Sequence, residues 1–412
     1  MAISPIPHWF EGSEYTHKVA ACIMKYGPIS RITLAQILGL SQGAVSRITS
    51  DLIYAGVIEE TPMAPGQGGR LPKDFVRKNS QKAAQKSGQK ENTERRGRPQ
   101  TGLRIVANAR TFVGMKINTT HITAVAVNAI GQIVTGCHDL PLDDDSPESV
   151  VDVIKQLTMD CADEAVMSGL PAPCAVGVSL GGHITDDSVT TFAPFLHWSK
   201  PVEFSAMIRK ATGLPTGIYN DIDSLAVDAC LFGSGVGLNS FAVVTIGIGV
   251  GYSLTVNGEP VNNPDKSYGL VGHILVDPDG PRCISGHKGC ATCLTDNSIA
   301  TEYSKIIGRP ATFDEFAAAA RASKTQATNL VNRTCFRLGT LIATIANLAM
   351  PDKIMIAGES SFIAKLGVGD LRNGINMYRH SQAAPVDFEI ADHDWAMWGK
   401  AAAVQAIRQY VG

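Results

Sequence analysis

The chain has no apolar run approaching the roughly 18 residues that a membrane-spanning helix requires, which argues against a membrane partner or anchor. Its first residues, MAISPIPHWFEGSEYTHK, lack the charged-then-apolar order of a secretory leader. Cysteine is sparse: nine in 412 residues, an odd number and mostly scattered. That usage argues against a disulfide framework and for a reducing, cytoplasmic setting. With 44% hydrophobic residues and 40 glycines, an α/β protein is expected. It is too long for one ordinary core, so two or three domains are anticipated.

Net charge is nearly absent too, at −2, but the balance hides an asymmetry. Residues 1–104 hold 15 Lys+Arg and 8 Asp+Glu, a net +7; the remainder holds 21 and 30, a net −9. A basic end on an acidic body points to a nucleic-acid-binding module joined to something else. Val19, Ala20, Ile23 and Met24 recur at helical spacing and stop at Gly27-Pro28. A second helical pattern, ISRITLAQILGL, turns Leu34, Ile37 and Leu38 to one face and stops at Gly39. A third starts at Ser41 as N-cap, buries Val45, Ile48, Leu52 and Ile53, and runs into VIEE, the first strand of a wing. This order predicts a winged helix-turn-helix over residues 1–65 that binds double-stranded operator DNA. The early exposed positions of the recognition helix nominate Gln42, Ser46 and Arg47 for base edges, and Thr33, placed just before the supporting helix, for a phosphate. A protein-interaction module is the alternative for such a helical triplet.

Residues 66–98 carry ten Lys+Arg against three acids and almost no large apolar residues. That composition cannot bury a core, so a basic, disordered insertion is expected over residues 66–102. It contains RRGRP, whose Arg95, Arg96 and Arg98 suit a narrow minor groove, or a solvated linker of positive charge.

From about residue 103 strands and helices alternate: PCAVGVSLGGHIT, PTGIYNDIDSLAVDACLFG, FAVVTIGIGVGYSLTVNG and DKIMIAGESS read as strands with Gly-rich turns or following helices. Helices are expected around 147–168, 202–212, 296–307, 313–350 and 396–410, which together make two α/β lobes over residues 103–412. The ordered set of winged helix, GRP, Asn220-Asp221, Thr-x-Gly-x-Gly-x-Gly at 245–251 and Gly-His before a Cys-rich loop resembles the ROK family of repressors and sugar kinases. The resemblance covers nearly the whole chain and implies a two-lobed actin-like (ribonuclease-H-like) ATPase fold with a ligand cleft, in the repressor branch.

Kinases of that family resemble Asp-x-Gly-Gly-Thr at the first hairpin, where this chain has KINTT, Lys116–Thr120. A Mg²⁺-serving carboxylate becomes a cation and both glycines gain side chains, so no ATP is expected and kinase activity is not. Asp221 matches the family's general base and Asn220 its sugar-binding Asn. With His273 they would bind a carbohydrate-like effector. The family's sugar-binding glutamates are Leu270 and Thr292 here, and Phe195 replaces an Asn, so the pocket is more apolar.

The resemblance also implies a structural zinc. His273, Cys283 and Cys290 match its ligands, while the remaining cysteine has become Ser285. Cys293 is the first choice for the fourth ligand, through the Cys290-x-x-Cys293 spacing. His287, a water, or a metal-free loop are the alternatives. The expected function is a cytoplasmic, homodimeric or homotetrameric transcriptional repressor of carbohydrate genes. The rivals are a sugar kinase with an appended DNA module and a ligand-independent DNA-binding scaffold.

Overall fold

Three serines start the first three helices. The side chains of Ser13, Ser30 and Ser41 accept from the backbone N–H of Thr16, Thr33 and Ala44, capping α1 (Glu14–Tyr26), α2 (Arg31–Leu38) and α3 (Gln42–Tyr54). Gly39 ends α2 in the left-handed region, at φ 66°, and so turns the chain into α3. Val19, Ile23, Leu34, Val45 and Leu52 meet in a dry core beneath these helices. Strand β1 (Ile58–Met63) follows, then a short helix α4 at residues 73–77, then β2 (Gln100–Ile105), which runs antiparallel to β1 with Ile58 opposite Ile105. In this computed structural model the described residues are 5–63, 71–77, 100–263 and 265–412.

Two expectations need correction here. Residues 100–105 complete the two-stranded sheet of the helical module, so the insertion ends before them and the following body does not begin at 103. Residues 71–77, expected to be disordered, are ordered: the Lys73 N–H donates to the Gly237 carbonyl at 3.0 Å, Asn239 Nδ2 donates to Asp74 at 3.1 Å, and Leu71 packs on the hydrophobic core. Hydrogen bonds to a neighbouring turn supply what composition alone did not promise.

The chain divides into two compact units, Met1–Asn239 with Trp395–Gly412, and Ser240–Asp394. In the first, β3 (Thr111–Ile117), β4 (His121–Asn128) and β5 (His138–Pro141) form an antiparallel meander. Helix α5 (Pro147–Met167) leads to β6 (Pro173–Leu180), the hairpin β7 (His183–Thr185) and β8 (Val189–Phe192), α6 (Phe204–Thr212), β9 (Thr216–Asn220) and α7 (Asp221–Phe232). Strands β6 and β9 run parallel to β3, giving the order β5-β4-β3-β6-β9. Every residue of β3 is buried, as a central strand covered on both faces requires.

The second unit repeats the plan. Its antiparallel strands are β10 (Ser240–Ile246), β11 (Val250–Val256) and β12 (Glu259–Pro260). Helices α8 (Asp296–Ile307), α9 (Phe313–Arg321) and α10 (Thr325–Leu348) precede β13 (Lys353–Ala357), α11 (Ser361–Leu366), α12 (Val368–Met377) and β14 (Phe388–Ile390). The sheet order β12-β11-β10-β13-β14 matches the first lobe strand for strand. The single helix expected over 313–350 is broken at residues 322–324, where Ser323 takes φ 54°.

The C-terminal helix α13 (Trp395–Val411) lies on β3, β4 and β6 of the first unit. A Cβ at Gly114 would fall 2.0 Å from the Gly399 carbonyl oxygen, and one at Gly177 would fall 2.1 Å from that of Ala402. The two glycines let helix and sheet meet backbone to backbone. Among the described residues no helix is long and apolar enough to cross a membrane.

Candidate functional sites

Gln42, Ser46 and Arg47 are exposed on the first two turns of α3, where Gly43 beside them leaves the surface open. Thr33 is not ahead of the supporting helix but inside it. Its N–H is capped by Ser30 and its hydroxyl lies 2.9 Å from that of Ser30. A residue missed in the sequence, Arg31, holds the module together: it donates to Thr49 of α3 at 2.9 Å and pairs with Glu60 of β1 at 2.8 Å. The expected minor-groove residues Arg95, Arg96 and Arg98 lie outside the described residues.

Asn220 and Asp221 stand at the junction of β9 and α7. The Asn220 side chain is the N-cap: its Oδ1 accepts from the N–H groups of Ile222 and Asp223, and its Nδ2 donates to the Gly182 carbonyl at 3.1 Å. Asp221 Oδ1 accepts from the Ile222 N–H at 2.9 Å. Its other oxygen accepts from Lys116 of KINTT in a buried ion pair, with Lys116 6% and Asp221 8% exposed. The Lys116 ammonium also lies 5.3 Å from the centre of the Trp398 ring. Lys116, at the end of β3, therefore reaches past β6 to the first residue of α7. Gly181 lies between Asp221 and an exposed aromatic, since a Cβ there would stand 3.2 Å from Phe195 and 3.5 Å from Asp221 Oδ2. Asp145 holds that loop by accepting from the Trp198 indole at 2.6 Å and lying 2.6 Å from His197 Nδ1.

His273, the third residue expected at the effector, belongs to the second unit and is exposed. In the same unit the glycine loop that could offer N–H groups to a phosphate already carries a carboxylate. A Cβ at Gly247 would stand 2.1 Å from Glu359 Oε2. No signal in the sequence marked Glu359, because it follows a different strand.

The Cys-rich loop brings four donors together. One atom each from His273, Cys283, His287 and Cys290 lie within 4.8 Å of one another. The Nδ1 atoms of His273 and His287 are 3.0 Å apart, a spacing that demands a shared proton or a cation. Desolvation would raise the Cys283 thiol, but hydrogen bonds from Cys290, the His287 and Ser285 backbones and Thr292 hold it below its ordinary value. Two histidines and two thiols fit the donor set of a four-coordinate zinc. Cys293 is not among them. The 3₁₀ turn Ala291–Leu294 rotates it into the hydrophobic core, where burial pushes its thiol up to about 12. Gly289 lets the loop fold back, since a Cβ there would lie 1.6 Å from the Asp277 carbonyl oxygen. Arg337 of α10, another residue unseen in the sequence, clamps the base by donating to Asp277 and Glu302, each at 2.8 Å.

Comparison with known proteins identifies the family and the fold. The ROK family model matches residues 112–406. The DNA-binding transcriptional repressor Mlc of Escherichia coli K12 is 23% identical over 358 residues, 84% of this chain and 80% of that protein. The xylose repressor of Bacillus subtilis 168 is 20% identical over 365 residues, 87% of this chain and 86% of that one. A solved ROK family transcriptional regulator, described as a homologue of the E. coli Mlc protein, superposes with a TM-score of 0.71 at 22% identity and covers 96% of both chains. A ROK hexokinase from Thermus thermophilus and a ROK family glucokinase from Streptomyces griseus, 18% and 21% identical, share the fold over 71% and 72% of the chain and 97% of each of theirs, at TM-scores of 0.57 and 0.59. The chain belongs to the ROK family.

Proposed function

We propose that this chain is a sequence-specific DNA-binding transcriptional regulator, a repressor of carbohydrate genes, whose DNA affinity answers to a sugar or sugar-derived ligand. Two copies would place two α3 helices in successive major grooves of a two-half-site operator. Gln42, Ser46 and Arg47 read bases, and Arg95, Arg96 and Arg98 add contacts in the minor groove. The names of the Mlc and xylose-repressor relatives support the regulator and its carbohydrate theme.

The observation that favours a regulator over a kinase is the buried Lys116–Asp221 pair. A general base must be free to take a substrate proton, and this carboxylate is already committed to an ammonium. Glu359 against Gly247 adds a negative charge where a nucleotide phosphate would need positive surroundings. Asn220 and Asp221 contact the effector, with Phe195 offering an apolar face. Zinc held by His273, Cys283, His287 and Cys290 orders the loop and supplies no chemistry of its own.

Selection from random duplex DNA, followed by titration of the winner against shuffled sequence at several salt concentrations, tests the reading. Preference for the winner of about a thousandfold supports it. Equal affinity for both sequences at physiological salt overturns it.

A further inference from the structure

The N-terminal module sits on the last turn of α13. The Trp9 N–H donates to the Tyr410 carbonyl at 2.7 Å, and the two rings lie 5.9 Å apart. His17 Nδ1 is 3.1 Å from the Val411 carbonyl oxygen, and the His8 ring is 4.4 Å from that of His17. At the other end of α1 a cavity of about 900 Å³ opens, with Met24, Lys25, Glu59, Arg104, Gln132 and Lys400 in its wall. The module is thus gripped near the start of α1, with open space by the helix's end.

Asn220 stands at the far end of a run of contacts that leads to the same place. Its amide holds the Gly182 carbonyl, immediately before the β7–β8 hairpin. At the hairpin tip Asp186 and Asp187 both take φ 52°, and the Ser188 N–H closes the turn on the Thr185 carbonyl at 3.1 Å, a tight hairpin turn that Asp accommodates. Two further bonds tie the tip to its surroundings. The Asp187 carbonyl accepts from the Ile218 N–H at 2.8 Å, two residues before Asn220, and the Asp187 carboxylate accepts from Gln409 on the last turn of α13. The body of α13 is closely packed on β3 and β6 at Gly114 and Gly177, whereas its last turn meets the hairpin through the Gln409 side chain.

We propose that the Asp186–Asp187 tip is the relay by which engagement of Asn220 reaches the DNA-reading helices. A ligand oxygen that draws the Asn220 amide away from Gly182 releases the hairpin. The tip shifts, Gln409 loses Asp187, and the last turn of α13 loosens its hold on Trp9, His8 and His17. The inference rests on Asn220 contacting the effector and on α3 reading DNA.

Hydrogen exchange on the full chain without ligand or DNA tests the relay. Asn220→Ser keeps a capping oxygen but removes the amide donor to Gly182; Gln409→Met cuts the other end. Asn220→Ser should raise exchange in residues 5–26 at least about fivefold, and should add nothing further in the Gln409→Met background. Asp187→Ala, which leaves the α7 cap intact, should give the same rise and keeps the test valid if Asn220→Ser fails to fold. Unchanged exchange in residues 5–26, or additive effects of the two substitutions, would overturn the relay. A wild-type chain that selects no DNA sequence would instead remove the regulator reading, while the exchange result still judges the relay.

Discussion

Lys116→Met leaves Asp221 as a buried carboxylate without its cation. The side chains of the pair are 8% and 11% exposed, so water cannot substitute for the lost partner. Breaking a buried pair from one side costs about 3–5 kcal/mol, most of it the penalty of the stranded charge. At roughly 2–4 °C per kcal/mol for a unit of this size, the first unit should melt about 6–20 °C earlier. Adding Asp221→Asn to Lys116→Met removes the stranded charge while keeping an oxygen to accept from the Ile222 N–H. The double variant should therefore recover at least half of the loss. Calorimetry of the wild type and the two variants measures this directly. A Lys116→Met melting temperature within about 2 °C of wild type would refute the reasoning, because an unpaired buried carboxylate cannot be that cheap. So would a double variant no more stable than the single one.

Three other outcomes are expected. His287→Ala should lower the zinc content of the purified chain and Cys293→Ser should not, as read by metal analysis; the reverse pattern would return Cys293 to the site. Arg47→Ala should weaken the selected operator by about 1–3 kcal/mol and relax the preference at one base position, whereas a loss equal on all sequences would make Arg47 a phosphate contact. Burial and the nearby His17 hold the His8 imidazole below its usual value, against a hydrogen bond from its ring to the Gln409 backbone that raises it. The unfolded chain then takes up a proton that the folded chain resists, so this stability is full above about pH 6.5 and is lost as pH falls through and below that value. His393, lowered chiefly by burial, acts with the same sign. His8→Gln should consequently lose less melting temperature than wild type between about pH 7.5 and about pH 5.5, and an equal loss would remove His8 from the account.

What the sequence made legible was local. Serine caps, glycine stops and apolar spacing sit within one helix of each other, so α1, α2 and α3 could be placed from residues alone. Strand β2 could not, because Ile105 pairs with Ile58 across the long basic insertion. Helices α11 and α12 were hidden by Gly367, Gly369 and Gly374, which read as breakers. Gly374 is there for close packing, since a Cβ would stand 2.2 Å from the Phe336 carbonyl oxygen of α10. At the metal loop, Cys-x-x-Cys spacing pointed to Cys293, but spacing carries no information on which way a 3₁₀ turn faces. At KINTT the lysine was plain in the sequence, yet what it holds depended on a partner 105 positions away.

That partner decides how the site can work. Asn220 and Asp221 are not waiting donors and acceptors: one grips Gly182 and caps α7, the other holds Lys116. A ligand that pulls either group out of these bonds displaces an internal partner, and the occupied and empty forms then differ in their internal contacts. For a phosphotransferase this is a handicap, because the base must first be released from a cation before it can accept a proton. For a regulator it is the requirement. A ligand shifts an equilibrium only by the difference in its interaction with two states, and a site already closed on itself through Gly182 and Lys116 supplies the second state.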